Sequence, residues 1–340
     1  MKKRKYFTGT LSALLCRGVV ESAADAFRGQ YGNALADDIA IPLVEAWSGI
    51  SADQISKDAV AKLPDNYLTL LWVSLVAAVC KRPIAIGYCR EKPLSIDLLH
   101  VYPKDGLGAM IQKLAGEVEE NISLQSPVEK VVVEKGNVKE VWVCGKPVET
   151  ETVFSSMPVN YLGKSVVGTN ALSYLERFRY RPMIFVNLSF DKENILPNVV
   201  LWTPDKELPF FRLSEATQAV PGLSPQGKTT ITADIGVSCE DRFWNMSDDE
   251  VTKICLDKLE GMMPGVRQHF IKSRLFRTKN AYPIFNREYE NERQKFAQTT
   301  GVGGLYSIGR NGEFEHLLME DIYWRTMKKV GEFLWQNSNR

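Results

Sequence analysis

Histidine is almost missing from this sequence. His100, His269 and His316 are its three copies, and they stand far apart without the short spacing that metal ligands need, so no metal site is expected. Cysteine is sparse as well. The six residues Cys16, Cys80, Cys89, Cys144, Cys239 and Cys255 include no C-x-x-C pair. In a chain of this length they read as buried thiols of a reducing compartment, which points to the cytoplasm. An excess of either charge is also lacking. Lys and Arg total 42, Asp and Glu 41, so nothing in bulk draws the chain to nucleic acid or to an acidic membrane. Repeats and low-complexity runs are missing, and so are G-x-S-x-G and H-E-x-x-H, so no catalytic base is named.

No apolar run is long enough to span a bilayer. The longest, from Tyr67 to Cys80, would cover about 21 Å as a helix at ~1.5 Å per residue, against a hydrocarbon core of about 30 Å. It reads as a buried helix or the wall of a greasy substrate tunnel, with peripheral membrane contact left open. The N-terminus sets Lys2, Lys3, Arg4 and Lys5 before an apolar stretch from Phe7 to Cys16. Thr8, Gly9, Thr10 and Ser12 dilute that stretch and Arg17 ends it, so a basic helix start is expected and not a signal peptide.

What is present is ordinary globular material. The 340 residues are 44% hydrophobic and 24% charged, enough for about two domains at roughly 150 residues each. Residues 21–100 read as mostly helical, with Ser51 and Gln54 placed as a capping box. Leu107, Met110, Ile111, Leu114 and Val118 make one helical stripe. Strand-like runs follow at Val128 to Val133, Val138 to Val143 and Thr152 to Ser156, the first two joined by a hairpin turn at Gly136-Asn137.

From Met183 the texture becomes sheet-rich. Runs at Met183 to Phe190, Val199 to Thr203, Phe210 to Leu213, Thr229 to Ile235 and Phe270 to Phe276 read as strands. Ser247 and Glu250 cap a helix that stops at Pro264-Gly265. Leu305 to Ile308 is a strand again, and Tyr323, Met327, Val330 and Leu334 stripe a closing helix. The pattern before residue 165 and after residue 300 is alike, which implies one α/β domain interrupted by another.

Two motifs carry candidate chemistry. Gly222 to Thr229 satisfies G-x-x-x-x-G-K-[ST], but that phosphate-binding loop needs a helix starting at its lysine. Here the β-branched run Thr229-Thr230-Ile231-Thr232 follows, so a loop between two strands is expected. The second motif, Gly309-Arg310-Asn311-Gly312, lies between a strand and a helix. Glycines allow close backbone approach, a helix start offers amides to an anion, and Arg310 offers a phosphate-matching fork. Local sequence leaves open a ligand-binding turn and an ordinary turn with a surface arginine.

Several segments, in order, resemble the FAD-dependent superfamily of flavin amine oxidases, protoporphyrinogen oxidases and phytoene desaturases, with UDP-galactopyranose mutase as a cousin. They are Tyr31-Gly32 through Pro42 with Trp47 to Ser56; Tyr102 to Gly108; Ser126 to Val131 with Val153 to Pro158; and Ala281-Tyr282-Pro283 with Ile308 to Gly312. The resemblance implies a mixed α/β fold, an incomplete FAD/NAD(P)-binding Rossmann-like domain interrupted by a sheet-plus-helix substrate domain. The parts are residues 1–100 (helical part of the substrate domain), 101–165 with 300–340 (FAD-binding) and 166–299 (substrate-binding).

The resemblance also implies a cofactor, FAD, and roles for particular residues. Lys104, Gly106 and Gly108 would lie near the isoalloxazine ring, and Asp105 stands where the family usually has Gly. Pro127 and Val128 would approach the adenine end. Ser156, Met157 and Pro158 would run beside the dinucleotide, and Gly309, Arg310, Asn311 and Gly312 would meet its pyrophosphate and flavin. The family's opening G-x-G-x-x-G turn is not among these 340 residues, so the strands at Thr152 to Ser156 and Leu305 to Ile308 are expected to expose sheet edges.

The expected partners are a small-molecule substrate, with Tyr67 to Cys80 pointing to an apolar one, and a completing chain or second copy. Oxidation of an unidentified apolar or aromatic molecule is the first functional reading. A mutase-like reading would need arginines to grip a substrate diphosphate. Arg177, Arg179, Arg181 and Arg277 are available, each read as surface charge. A flavin-free remnant of a flavoprotein is the third reading.

Overall fold

A computed structural model describes Tyr6, residues 19–62, the positions Trp72, Leu75, Val76 and Val79, and residues 102–338. The basic N-terminus and most of Tyr67 to Cys80 lie outside the described residues. In chain order the strands are β1 (Val128–Glu134), β2 (Asn137–Val143), β3 (Lys146–Glu149), β4 (Val153–Ser155), β5 (Val166–Val167), β6 (Tyr180–Phe190), β7 (Val200–Trp202), β8 (Arg212–Ser214), β9 (Thr229–Gly236), β10 (Phe270–Pro283) and β11 (Leu305–Ser307). The helices used below are α1 (Ala23–Tyr31), α2 (Ile41–Ser48), α3 (Gly106–Gly116), α4 (Val159–Ser165), α5 (Asp248–Met262), α6 (Glu290–Gln298), α7 (Gly309–Gly312) and α8 (Met319–Ser338).

The chain divides into two compact units. The first takes the described residues of Met1–Tyr67, Val101–Glu120 and Tyr180–Tyr282, the second those of Leu68–His100, Asn121–Arg179 and Pro283–Arg340. Period-two patterning builds the first unit. Ile184, Val186, Leu188 and Phe190 alternate along β6, and Ile231, Ala233 and Ile235 alternate along β9, all almost fully buried. These residues face one way on a five-stranded sheet of order β10-β6-β9-β8-β7. Val251, Cys255 and Leu259, at helical spacing on α5, close over that face. Each of the Val, Leu, Ile and Phe side chains contributes about 1.5–3 kcal/mol by leaving water.

Ser247 starts α5 as expected. Its hydroxyl accepts from the Glu250 amide, and the Glu250 carboxylate accepts from the Ser247 amide at 2.9 Å. Ser247→Ala should therefore lower stability by about 1 kcal/mol, read as a shifted urea midpoint at constant m. The second expected box is not one. Residues 52–54 form a turn, in which Gln54 N donates to Ser51 O and Ser51 Oγ accepts from Asp53 N. A capping box needs a helix after it, and only the short 3₁₀ turn Lys57–Lys62 follows. The box that exists lies at Ser22 and Asp25, at the start of α1.

The second unit is built on a four-stranded sheet of order β3-β2-β1-β5. Glu134 pairs with Asn137, so the hairpin turns on Lys135-Gly136, one residue before the expected pair. Both have positive φ, 50° and 83°, as a type I′ turn requires. A second such turn at Cys144-Gly145 adds β3, which the polar, exposed run Lys146–Glu149 did not announce. Beside it β4 and β11 pair in parallel, Val153 to Leu305 and Ser155 to Ser307, as a two-stranded sheet. Each therefore keeps one unpaired edge among the described residues. Phe154 and Tyr306 stack at 4.9 Å, with the Phe333 ring of α8 edge-on to both.

Two helices expected from their stripes do form, but their stripes are not buried. Leu107, Ile111 and Leu114 on α3 are exposed, as are Tyr323, Met327 and Leu334 on α8. Trp72, Leu75 and Val79 are exposed too. Among the described residues no helix is long and apolar enough to cross a membrane.

Candidate functional site

The carboxyl ends of parallel strands are where α/β folds bind ligands. In the second unit β4 and β11 end side by side at Ser155 and Ser307. Ser156-Met157-Pro158 leaves one strand and Gly309–Gly312 follows the other. Ile308 N donates to Ser155 O at 2.9 Å, continuing the ladder to the turn. Gly312 then packs on the partner strand so closely that a methyl group there would stand 2.6 Å from Ser155 O and 3.1 Å from Ser156 Cα. Two of the residue groups singled out by the sequence are thus brought together.

A helix does start at this turn, as expected, but it is short. Gly309–Gly312 forms a single helical turn, and α8 begins only at Met319. So short a turn sums little macrodipole, which needs many aligned peptides. Burial and ion pairing fix the turn instead. Glu313 is 3% exposed. It accepts from Arg325 Nε at 2.7 Å and lies 3.3 Å from Lys329 Nζ. Lys329 in turn donates to Ser307 O at 2.6 Å. Two polar atoms nearby in the chain, Ser307 Oγ and Asn160 Oδ1, are buried without a hydrogen-bond partner among the described residues.

Behind the turn, Phe314 packs on Phe178 and Tyr289, with Phe178 and Tyr289 stacked at 4.6 Å. Burial pushes the Tyr289 phenol up to about 12. Arg293 lies over the Phe285 ring at 4.3 Å and pairs with Glu290 and Glu315. None of this network was foreseen, because its aromatic and charged members are scattered over helix and loop with no short-range pattern.

The remaining expected site residues fall elsewhere. Pro127 and Val128 open β1, where Cys144 N donates to Pro127 O and Val128 pairs with Val143. Lys104, Gly106 and Gly108 belong to the first unit. Gly106 N closes a turn on Pro103 O, whereas a side chain at Gly108 would meet nothing within 4 Å, so sterics do not demand glycine there. Gly222 to Lys228 lies between β8 and β9, and Thr229 begins strand and not helix.

The first unit has a second polar surface of its own. Opposite the apolar face of the sheet, Phe185, Asp234 and Arg212 lie abreast on β6, β9 and β8. Asp234 is 1% exposed and pairs with Arg212. Burial pushes its carboxyl above the ordinary range, against the pull of that arginine. Arg212 also lies over the Trp202 ring at 5.4 Å. Further along the same face Thr232 Oγ1 donates to Asn187 Oδ1 at 2.6 Å. Among the described residues no His, Cys, Asp or Glu cluster could hold a metal.

The parallel strand ends of the second unit and the separate five-stranded sheet of the first define a mixed α/β protein. The family model for flavin containing amine oxidoreductases matches residues 24–321, and the chain belongs to that family. Membership implies a flavin and oxidoreductase chemistry.

Solved structures agree in fold. Reduced UDP-galactopyranose mutase has a TM-score of 0.72 at 14% identity, covering 95% of this chain and 70% of that one. An oxidoreductase from Methanosarcina mazei has 0.60 at 15%, covering 97% and 72%. Cyclohexylamine oxidase from Brevibacterium oxydans IH-35A has 0.60 at 10%, covering 93% and 68%. No curated protein matches the chain by sequence.

Proposed function

We propose that this chain is an FAD-dependent oxidoreductase of the amine-oxidase and protoporphyrinogen-oxidase kind, acting on a small molecule. The observation that carries this reading is the pair of parallel strand ends, with Gly312 pressed against Ser155 and Ser156. A side chain at Gly312 would push this turn away from Ser155 and Ser156, so glycine keeps the two segments proposed to hold the dinucleotide side by side. The buried, unpartnered Ser307 Oγ and Asn160 Oδ1 supply polar groups for a bound molecule to satisfy.

Ser156, Met157, Pro158 and Gly309 to Gly312 would hold the dinucleotide. By the family resemblance, Pro127 and Val128 would meet its adenine end. Bound FAD supplies the two-electron chemistry. The chain binds and orients it, and the ion pairs of Glu313 with Arg325 and Lys329 hold the turn in register.

The mutase reading has less support. Three of its four candidate arginines are engaged: Arg177 pairs with Glu292, Arg179 donates to Glu176 O and Arg277 binds Asp248 and Met246 O. Equilibrium dialysis tests the reading. FAD should be retained at close to one per chain and resist competition by ATP. Retention no greater than that of ATP would overturn it.

A further inference from the structure

Arg181 stands out from the other arginines of the first unit. It sits near the start of β6, on the polar face of the sheet. Its guanidinium is held between two backbones. A methyl at Gly49, which has φ +78°, would stand 2.6 Å from Arg181 Cζ, and one at Gly236 would stand 3.0 Å from Nε. Both positions are glycine, so the sequence has cleared space for the planar group.

Yet Arg181 makes no hydrogen bond or ion pair with any described residue, and its Nε is sealed from solvent. A guanidinium carries five N–H donors in a fixed fork. Leaving the sealed Nε–H unmatched is costly, while the two terminal nitrogens are open to an incoming acceptor. Gly49 caps the C-terminal end of α2, and the negative end of that helix favours the charge. That field does not satisfy the donors. Asp241 is the acidic group whose charge reaches the arginine, but its carboxylate already accepts from Ser238 N. The other carboxylate on this face, Asp234, is taken by Arg212. Burial accordingly holds Arg181 below the ordinary arginine range.

We infer that Arg181, seated between Gly49 and Gly236, binds an oxyanion, a carboxylate or phosphate, on the polar face of the five-stranded sheet. That this oxyanion belongs to the substrate rests on the oxidoreductase reading, and it makes the substrate class an anionic small molecule. The chemistry is a fork of parallel N–H donors meeting two oxygens, the geometry in which arginine excels. An amine, by contrast, would need a spare carboxylate, and on this face Asp234 has none to offer.

The test uses the whole chain without added flavin, so that it reads separately from flavin retention. Thermal unfolding is followed against inorganic phosphate and against benzoate, with chloride holding ionic strength constant. The wild-type chain should gain about 2–4 °C in Tm near ten times the Kd. Arg181→Met should weaken binding about 10- to 100-fold, and Arg181→Lys should restore part of it. A response to benzoate alone identifies a carboxylate site, to phosphate alone a phosphate site, and either supports the inference.

A gain that persists undiminished in Arg181→Met, or no gain with either probe, overturns it. Should that variant not fold, phenylglyoxal labelling of the wild-type chain decides. Peptide mapping should show Arg181 protected by the effective anion, and labelling unchanged by both anions overturns the site.

Discussion

Gly312→Val should abolish flavin retention and cost the fold about 1–3 kcal/mol, the range for forcing extra carbon into a packed place. The reason is geometric. Even a single methyl at this position would stand 2.6 Å from Ser155 O. That atom already accepts from Ile308 N where the β4–β11 ladder meets the turn. The turn must move away from β4 to admit the side chain. Moving it separates Gly309 to Gly312 from Ser156, the juxtaposition on which the cofactor site rests. The checks are the urea midpoint and the ratio of visible to ultraviolet absorbance after gel filtration with FAD. Wild-type retention in Gly312→Val would show that the close approach is irrelevant to the cofactor.

The second large effect is expected at Glu313. Its side chain is 2% exposed and faces Arg325 and Lys329, which are 25% and 28% exposed. Removing one partner of a buried ion pair leaves charges without compensation, at about 3–5 kcal/mol. Partial exposure of the two cations places Glu313→Ala near the lower end. Glu313→Gln, which keeps the shape and an acceptor, should cost less than Glu313→Ala. Chemical unfolding of both variants measures this, and a loss under about 1 kcal/mol in Glu313→Ala would mean that the pair is not holding the turn.

How far the sequence could be read depended on the range of the interaction. Strands β6 and β9 were legible because alternation is a local pattern that a one-sided core enforces. The Ser247 box was legible for the same reason, since its two members lie three residues apart. The similar spacing at Ser51 and Gln54 misled because nothing local reveals that Gly49 and Ser51 belong to a turn. Strand β3 escaped because Lys146, Pro147 and Glu149 carry no β signal; the Cys144-Gly145 turn and pairing to β2 impose the strand.

The candidate site divides along the same line. Gly309 to Gly312 and Ser156 to Pro158 were picked out by motif and resemblance, and parallel pairing of β4 with β11 brings them together. Glu313 with Arg325, 12 residues apart in the chain, gave no signal. Arg181 was read as surface charge, whereas glycines 132 residues before it and 55 after it enclose its guanidinium; that enclosure exists only once β6, β9 and α2 are assembled.

A flavin held at the ends of β4 and β11 would be visible. The most direct measurement is the visible spectrum of the purified chain after incubation with FAD and gel filtration. A flavin band near ~450 nm should travel with the protein peak. A folded chain that emerges colourless would contradict it.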